Sequence, residues 1–360
     1  MGDRSKRILI TGHEIGGQMQ LLAETFRRRW FKATAAAVND DSRGYNCDVM
    51  MARKGGRFRR ELDKFLFFLW AANHYDVFHF FWGVSLWDFW RFHLLDLPLL
   101  KLLRKKVVVH FRGLDVVDIA YFDWLRESAR GNISPKPPMS RPQQQRQVKK
   151  WLKYADVLLV SEPDLHAVVP RSILSPQVID MHYWQPTRQP KSLQDGIIRI
   201  AHAPSSRRKK GTDFIEQSIA ELKAKGLPVE LVLAENLPPD KIKALYELSD
   251  IGLDQVLYGW HGKVSVELMA LGKPVVCNID PALRAYRPDL PILHGDPGNL
   301  TAVLEDLVRH PEKRQQIGDA SQVYARRYHD VERVADQLLE IYGFEVKTLA
   351  KEQLVGAPTW

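Results

Sequence analysis

The chain is short of cysteine and of long apolar runs, and each shortage closes off a class of protein. Two cysteines in 360 residues, Cys47 and Cys277, make neither a disulfide framework nor a metal quartet. The longest apolar stretch, Phe65 to Ala72 (FLFFLWAA), falls far below the ~20 residues of a membrane-spanning helix. The opening MGDRSKRILITG holds no apolar segment of secretory-signal length, and Lys6 stands where a myristoylation motif wants Ser or Thr. A reducing cytoplasm is the expected setting. The composition, 45% hydrophobic and 26% charged, is that of an ordinary globular protein. Its length exceeds one ordinary core and favours two domains.

Acidic residues are scarce on one half only. Residues 1–190 carry 30 Lys and Arg against 19 Asp and Glu, a net +11, while the remaining 170 carry 22 against 24, a net −2. A one-sided basic half points to an anionic partner surface, whether nucleic acid, acidic lipid or a phosphorylated substrate. A plain solubility charge is the alternative.

Apolar patterning predicts a strand over Arg7 to Thr11 (RILIT), then the turn GHEIGGQ, then a helix with its inward positions at Leu21, Leu22, Thr25, Phe26 and Trp30. Further strands are expected at Asp76 to Phe81, Lys106 to Phe111 and Asp156 to Ser161. Strands alternating with helices argue for a parallel α/β sheet. Residues 134–147 (SPKPPMSRPQQQRQ) lack periodicity and read as part of a mobile loop, about 130–147. After the polar stretch Gln185 to Asp195 the pattern restarts with a strand at Ile197 to Ala203. Two such units of similar size leave a cleft between their strand ends, where open α/β sheets bind ligands.

Two segments carry candidate chemistry. In Ala201 to Phe214 (AHAPSSRRKKGTDF), a strand runs into Ser205, Ser206, Arg207, Arg208, Lys209 and Lys210, then a glycine and a helix. Cations and a glycine at a sheet edge suit a phosphate, although a basic run also suits a solvated turn. In Tyr258 to Val276 (YGWHGKVSVELMALGKPVV), Gly262 and Lys263 open a helix whose amides and dipole favour an anion. Glu267 follows, where a carboxylate can accept hydrogen bonds from two ribose hydroxyls. Read alone, this segment also fits any helix–strand junction.

Together, KGTDF and the GxxxxELMALGKPVV pattern resemble the donor domain of retaining glycosyltransferases of the GT-B fold, in the large family that includes lipopolysaccharide, capsule and phosphoinositol-mannoside transferases. ADVLLVSEPDL (Ala155 to Leu165), VIDMHYWQP (Val178 to Pro186) and the stretch from Leu293 to Tyr342 extend the resemblance over residues 7–345. It implies two Rossmann-like, doubly wound domains facing a central cleft. The acceptor domain would span residues 1–188 and the donor domain 189–345, with 346–360 as a tail that packs back on the first. It also implies that Lys210 neutralises the donor pyrophosphate with help from Ser205, Ser206 or Arg207. Glu267 would bind the ribose and Gly262 the sugar hydroxyls and phosphate. Gly16 and Gly17 match the loop lying against the diphosphate, and Arg112, Gly113 and Asp115 (HFRGLD) fall on an H-G-x-D stretch facing the acceptor. The partners implied are a nucleotide sugar and a glycan or lipid-linked acceptor, with no cofactor and no metal.

Two departures stand out. The first Glu of the family's E-x7-E motif is replaced by Gly259, so that His261 or Asp254 is expected to take over its contact with the transferred sugar. Arg112 stands where the family has His; His110 lies two residues earlier on the same strand face. A guanidinium there can hold a phosphate but does not act as a base. With Lys210, these are the expected catalytic residues.

The basic half holds one further pattern. Arg57 to Trp70 (RFRRELDKFLFFLW) reads as an amphipathic helix in which Arg57, Arg59, Arg60 and Lys64 form the polar side and Phe67 and Trp70 are surplus aromatics. The pattern suits an anionic membrane surface, peripheral and cytoplasmic, or simple packing on the sheet. The sequence also raises three other readings. A nucleic-acid binder lacks any helix-turn-helix, RNA-recognition or zinc-finger pattern. A nicotinamide-dependent oxidoreductase fails because GHEIGGQ is not G-x-G-x-x-G. A transferase-like protein that has lost activity with the missing Glu stays open.

Overall fold

The computed structural model describes residues 6–38, 45–51, 56–87, 94–113, 115–116, 140–187, 195–235 and 237–345. Among the described residues, twelve strands lie in two all-parallel sheets. The first contains β1 (Arg7–Gly12), β2 (Lys32–Ala37), β3 (Val49–Met50), β4 (Val77–Phe81), β5 (Lys106–Phe111), β6 (Val157–Val160) and β7 (Ile173–Leu174), ordered β3-β2-β1-β4-β5-β6-β7. The second contains β8 (Ile198–His202), β9 (Val229–Leu233), β10 (Ile251–Leu253), β11 (Val275–Cys277) and β12 (Leu293–His294), ordered β12-β11-β10-β8-β9. Both are doubly wound, and each reverses direction once, between β1 and β4 and between β8 and β10. Ligands bind at the carboxyl ends of strands flanking such a reversal.

The central strands are apolar on both faces, as helices on both sides require. On one side of the first sheet, Leu9, Phe78 and Phe80 pack with Phe68, Ala71 and Ala72 of the Arg57–His74 helix and with Val148 and Trp151. On the other side, Ile8 and Ile10 pack with Met19, Leu22 and Phe26 of the Gln18–Arg28 helix.

Three boundaries differ from the sequence reading. The expected loop 130–147 is helical from Arg141 onward, through Tyr154. Ser140 and Gln143 form a capping box, and the helix buries Val148 and Trp151 against the sheet, so local capping and packing override the run of glutamines. Residues 130–139 lie outside the described residues. Second, the crossing between units falls not near residue 188 but between Val178, packed in the first core, and Ile179, packed in the second with Met181 and Trp184. Third, the Val331–Tyr342 helix, expected in the second unit, packs on the first through Val331, Val334, Leu338 and Tyr342. Its apolar stripe fills the groove beside Phe26. Arg28 and Arg29 pair with Glu332 at 2.8 and 2.7 Å, and His79 bonds the Tyr342 hydroxyl at 2.5 Å. The expected tail, 346–360, lies outside the described residues. No helix among those described is long and apolar enough to cross a membrane.

Candidate functional site

At the reversal point of the second sheet, the chain leaves β10 into Asp254 and Gln255, and leaves β8 into the short Arg207–Lys210 helix. Lys210 Nζ donates to Asp254 Oδ1 at 2.9 Å and to Gln255 Oε1 at 2.5 Å. The other Asp254 oxygen, Oδ2, accepts from the Gly262 amide and the Ser265 hydroxyl, both at 2.8 Å. Burial pushes the Asp254 carboxyl up, but the Lys210 charge and these donors outweigh it and hold it below its ordinary value. One carboxylate thus ties the phosphate-binding candidate to the start of the Lys263–Ala270 helix. A side chain at Gly262 would sit 3.2 Å from both Asp254 Oδ2 and Lys210 Nζ, so glycine keeps this pair open.

Lys263 extends the cluster across to the first unit. Its ammonium donates to the Gly16 carbonyl at 2.7 Å, pairs with Glu267 at 3.2 Å and lies 5.1 Å from the centre of the Tyr45 ring. Gly16 and Gly17 both have positive φ, 71° and 76°, where a Cβ would meet Lys263 and Tyr45 respectively. The two glycines bring the first sheet's β1 turn against the second unit's helix.

The structure brings together Gly16, Lys210, Asp254, Gly262, Lys263 and Glu267. Other expected site residues are otherwise engaged. Arg207 turns away to pair with Glu216 and Glu235. Ser206 stands before the short helix and accepts from the Lys210 amide through its carbonyl, while Ser205 is exposed. His110 is buried beneath β5's end, sharing Nε2 with the Ser175 carbonyl and Ser161 hydroxyl; burial first, and Arg112 second, press its pKa well down. Arg112 donates to Gln18 and lies over Phe81 at 5.2 Å. Burial lowers its pKa to about 10, against the pull of Glu162. Asp115 accepts from the Arg112 and Gly113 amides and so braces this turn. His261 is buried between Trp260 and His329, ring centroids 5.0 and 5.6 Å away, and burial lowers its pKa to about 4. It is therefore a neutral ring at neutral pH.

Two carboxylates were not anticipated. Glu14 accepts from the amides of Gln18, Met19 and Gln20, filling the anion position at the first helix's start that the glycine loop was expected to offer a phosphate. An acidic residue just ahead of a helix was the available signal. Glu162, at the end of β6, lines a small cavity between the units with Trp260, His261, Arg287 and His329. Burial and the neighbouring Asp164 raise its pKa well above the ordinary value, against Lys210 and Arg112; it in turn helps burial push the Tyr258 hydroxyl to about 12. Among the described residues, no three His, Cys, Asp or Glu side chains converge as a metal-holding group.

The sequence matches no protein-family profile and no curated protein. Solved structures do match over the whole architecture. A sucrose-phosphate synthase from Thermosynechococcus elongatus superposes with a TM-score of 0.67 at 14% identity, covering 94% of this chain and 98% of that one. The fold is GT-B. HepE of Anabaena, in complex with UDP-glucose, gives a TM-score of 0.63 at 14% identity over 94% and 99% of the two chains. The catalytic domain of Starch Synthase IV from Arabidopsis thaliana, bound to ADP and acarbose, gives 0.60 at 12% over 94% and 99%. In GT-B terms, the Lys210 cluster belongs to the C-terminal domain and the Gly16 turn to the N-terminal one.

Proposed function

We propose that this GT-B chain is a retaining glycosyltransferase that moves a sugar from a nucleotide-diphosphate donor to a glycan or lipid-linked acceptor held by the N-terminal domain. The observation that carries the reading is the Lys210–Asp254–Gly262 cluster facing the Gly16 turn across the cleft. Structures with the same fold hold UDP-glucose in HepE and ADP in the starch synthase.

In this reading the donor diphosphate displaces Gln255 from Lys210, while Asp254 keeps the ammonium aimed. Negative charge grows on the leaving phosphate oxygens as the anomeric carbon becomes oxocarbenium-like, and a cation fixed beforehand stabilises that charge without reorganising. Glu267 takes the ribose hydroxyls. With Gly259 in place of the family's first Glu, the transferred sugar meets His261 through a neutral imidazole. Glu162, on the opposite wall, is the carboxylate best placed to reach it from the N-terminal domain. The reading invokes no metal.

The test is a thermal-shift screen of UDP, GDP and ADP and their glucose conjugates, because a ligand bound only by the folded state raises the melting temperature. One base is expected to shift it, and transfer to a glycan acceptor to follow. Absence of a shift with all three bases overturns the reading; a shift without transfer to any acceptor supports the inactive alternative.

A further inference from the structure

The end of the first sheet away from the cleft carries a groove of 460 Å³ whose walls include Arg7, Arg27, Trp30, Lys32, Trp70 and His74. Arg7 and Lys32 are the first residues of β1 and β2, whereas the cleft lies at the strands' other ends. Six residues of strand separate the two by roughly 20 Å, so the groove is a site of its own.

Its aromatic lining is costly to maintain. Trp30 follows the first helix at φ +67°, in the left-handed region, and leaves 79% of its surface in solvent. For a non-glycine residue that conformation costs roughly 1–2 kcal/mol, and glycine is the usual occupant of a helix end of this shape. The helix end itself sets this conformation, since the Trp30 and Phe31 amides close back on the Arg27 and Phe26 carbonyls at 2.9 and 3.0 Å, but it does not call for an exposed indole at that position. Trp70, 45% exposed, stacks on His74 at 4.4 Å on the far side of the groove.

Trp70 also ends an exposed apolar line. Phe58, Leu62, Leu66 and Trp70 follow one another at steps of four along the Arg57–His74 helix, and all four face solvent. The line is ~18 Å long and is joined by exposed Leu69 and flanked by exposed Arg59 and Arg60. The surface expected from the sequence is therefore redrawn. Phe67 packs partly into the core and Lys64 is half-buried against Glu61 at 3.1 Å, while Phe58, Leu62 and Leu66 take their place. The Arg57 side chain lies outside the described residues. Of the groove's cations, Arg27 is paired with Asp48 at 2.7 Å, whereas the Arg7 and Lys32 side chains make no ion pair among the described residues.

We propose that the groove seats the phosphate headgroup of an anionic phospholipid, with the Phe58–Trp70 line lying in the plane of the bilayer surface. Four features select this occupant over others. Indoles with one apolar and one wet side settle at the membrane–water boundary. An apolar helix face bordered by arginines lies flat there. Arg7 and Lys32, which make no ion pair among the described residues, attract acidic lipid beside it, and the half of the chain that carries them has the +11 excess. The site stands apart from the donor cluster and does not depend on the transfer reading.

The experiment is co-sedimentation of the full chain with phosphatidylcholine vesicles, with and without phosphatidylglycerol. The wild type is expected to pellet with the mixed vesicles and to stay largely in solution with neutral ones. Lys32→Glu removes one cation and adds one anion, and at about 1 kcal/mol per charge near such a surface it lowers partitioning roughly 30-fold. Trp30→Gly relieves the backbone, so its melting temperature holds or rises while partitioning falls roughly tenfold. Leu62→Ser with Leu66→Ser weakens binding to mixed vesicles as well. Equal sedimentation with both vesicle types overturns the proposal, as does wild-type partitioning by both Lys32→Glu and Trp30→Gly. Competition by free glycerol phosphate as strong as by vesicles, or preference for a single-stranded oligonucleotide, also overturns it in favour of a soluble anion or a nucleic acid.

Discussion

Replacing Lys210 by Ala tests the donor site most directly, because this ammonium is the cation that Asp254 and Gln255 hold at the expected phosphate position. A charge-assisted hydrogen bond to phosphate contributes about 1.5–3 kcal/mol, which is about 10–150-fold in affinity. The substitution also exposes an arriving diphosphate to the Asp254 carboxylate, whose side chain is only 1% accessible and keeps just the Gly262 amide and Ser265 hydroxyl. Repulsion therefore adds to the lost attraction, and the expected weakening is about 100-fold. Adding Asp254→Asn removes the orphaned charge and is expected to recover about tenfold of it. Stability should follow the same order. Removing one partner of a buried pair costs about 3–5 kcal/mol, so the single variant unfolds at lower urea than the double. Calorimetric titration with the nucleotide chosen by the thermal screen gives the affinities. Affinity of Lys210→Ala within about threefold of wild type, or a double variant no better than the single one, refutes the assignment.

Three further outcomes follow from the same geometry. Glu267→Gln is expected to weaken nucleoside diphosphate binding about tenfold and leave inorganic pyrophosphate binding unchanged, which competition titration reads directly. His261→Ala should reduce turnover and sugar-donor affinity while nucleoside diphosphate affinity holds; unchanged donor affinity and turnover would remove His261 from the site. Asp115→Asn changes the pH dependence of stability. Burial raises the Asp115 pKa to about 7 against its two backbone hydrogen bonds, above the 3.8 of the unfolded chain. The folded state therefore holds a proton that the unfolded state releases, and stability falls as pH rises through that window. Between pH 5 and 7 this one group accounts for about 2 kcal/mol, which the Asn variant should lack in paired urea titrations.

The patterned parts of the fold were legible because burial on both faces leaves runs such as RILIT and KVVVHF little choice. β2 was not, because KATAAA is made mostly of alanine, a good helix former, and only its place between β1 and β3 makes it a strand. The short β3, β7 and β12 are too brief to show periodicity. At the site, Lys210, Gly262 and Glu267 could be picked out because glycines and charges cluster at a strand–helix junction. Asp254 could be named as a sugar contact but not as the partner of Lys210, which it meets from 44 positions away, and Glu162, reaching the cleft from the other sheet, carried no such signal. Arg207 was expected beside the phosphate because it sits in the same basic run, but one helical turn points it toward Glu216 and Glu235 instead.

The two passages of the chain between the sheets touch each other. Ile179 donates to the His329 carbonyl at 2.9 Å, and Val331 donates to the Ile179 carbonyl at 3.0 Å. The core changes between Val178 and Ile179 and changes back between Tyr328 and Val331. Topologically, residues 179–330 are an insertion in a first domain that resumes with its own last helix. The ends of that insertion are neighbours, so the two crossings form one joint of paired backbone rather than two separate tethers. It also gives the cutting points for genetic dissection. A fragment begun at 189 discards Met181 and Trp184 from its own core, whereas 179–330 keeps them, and a first domain closed from 178 to 331 by a short linker regains the helix that covers Phe26.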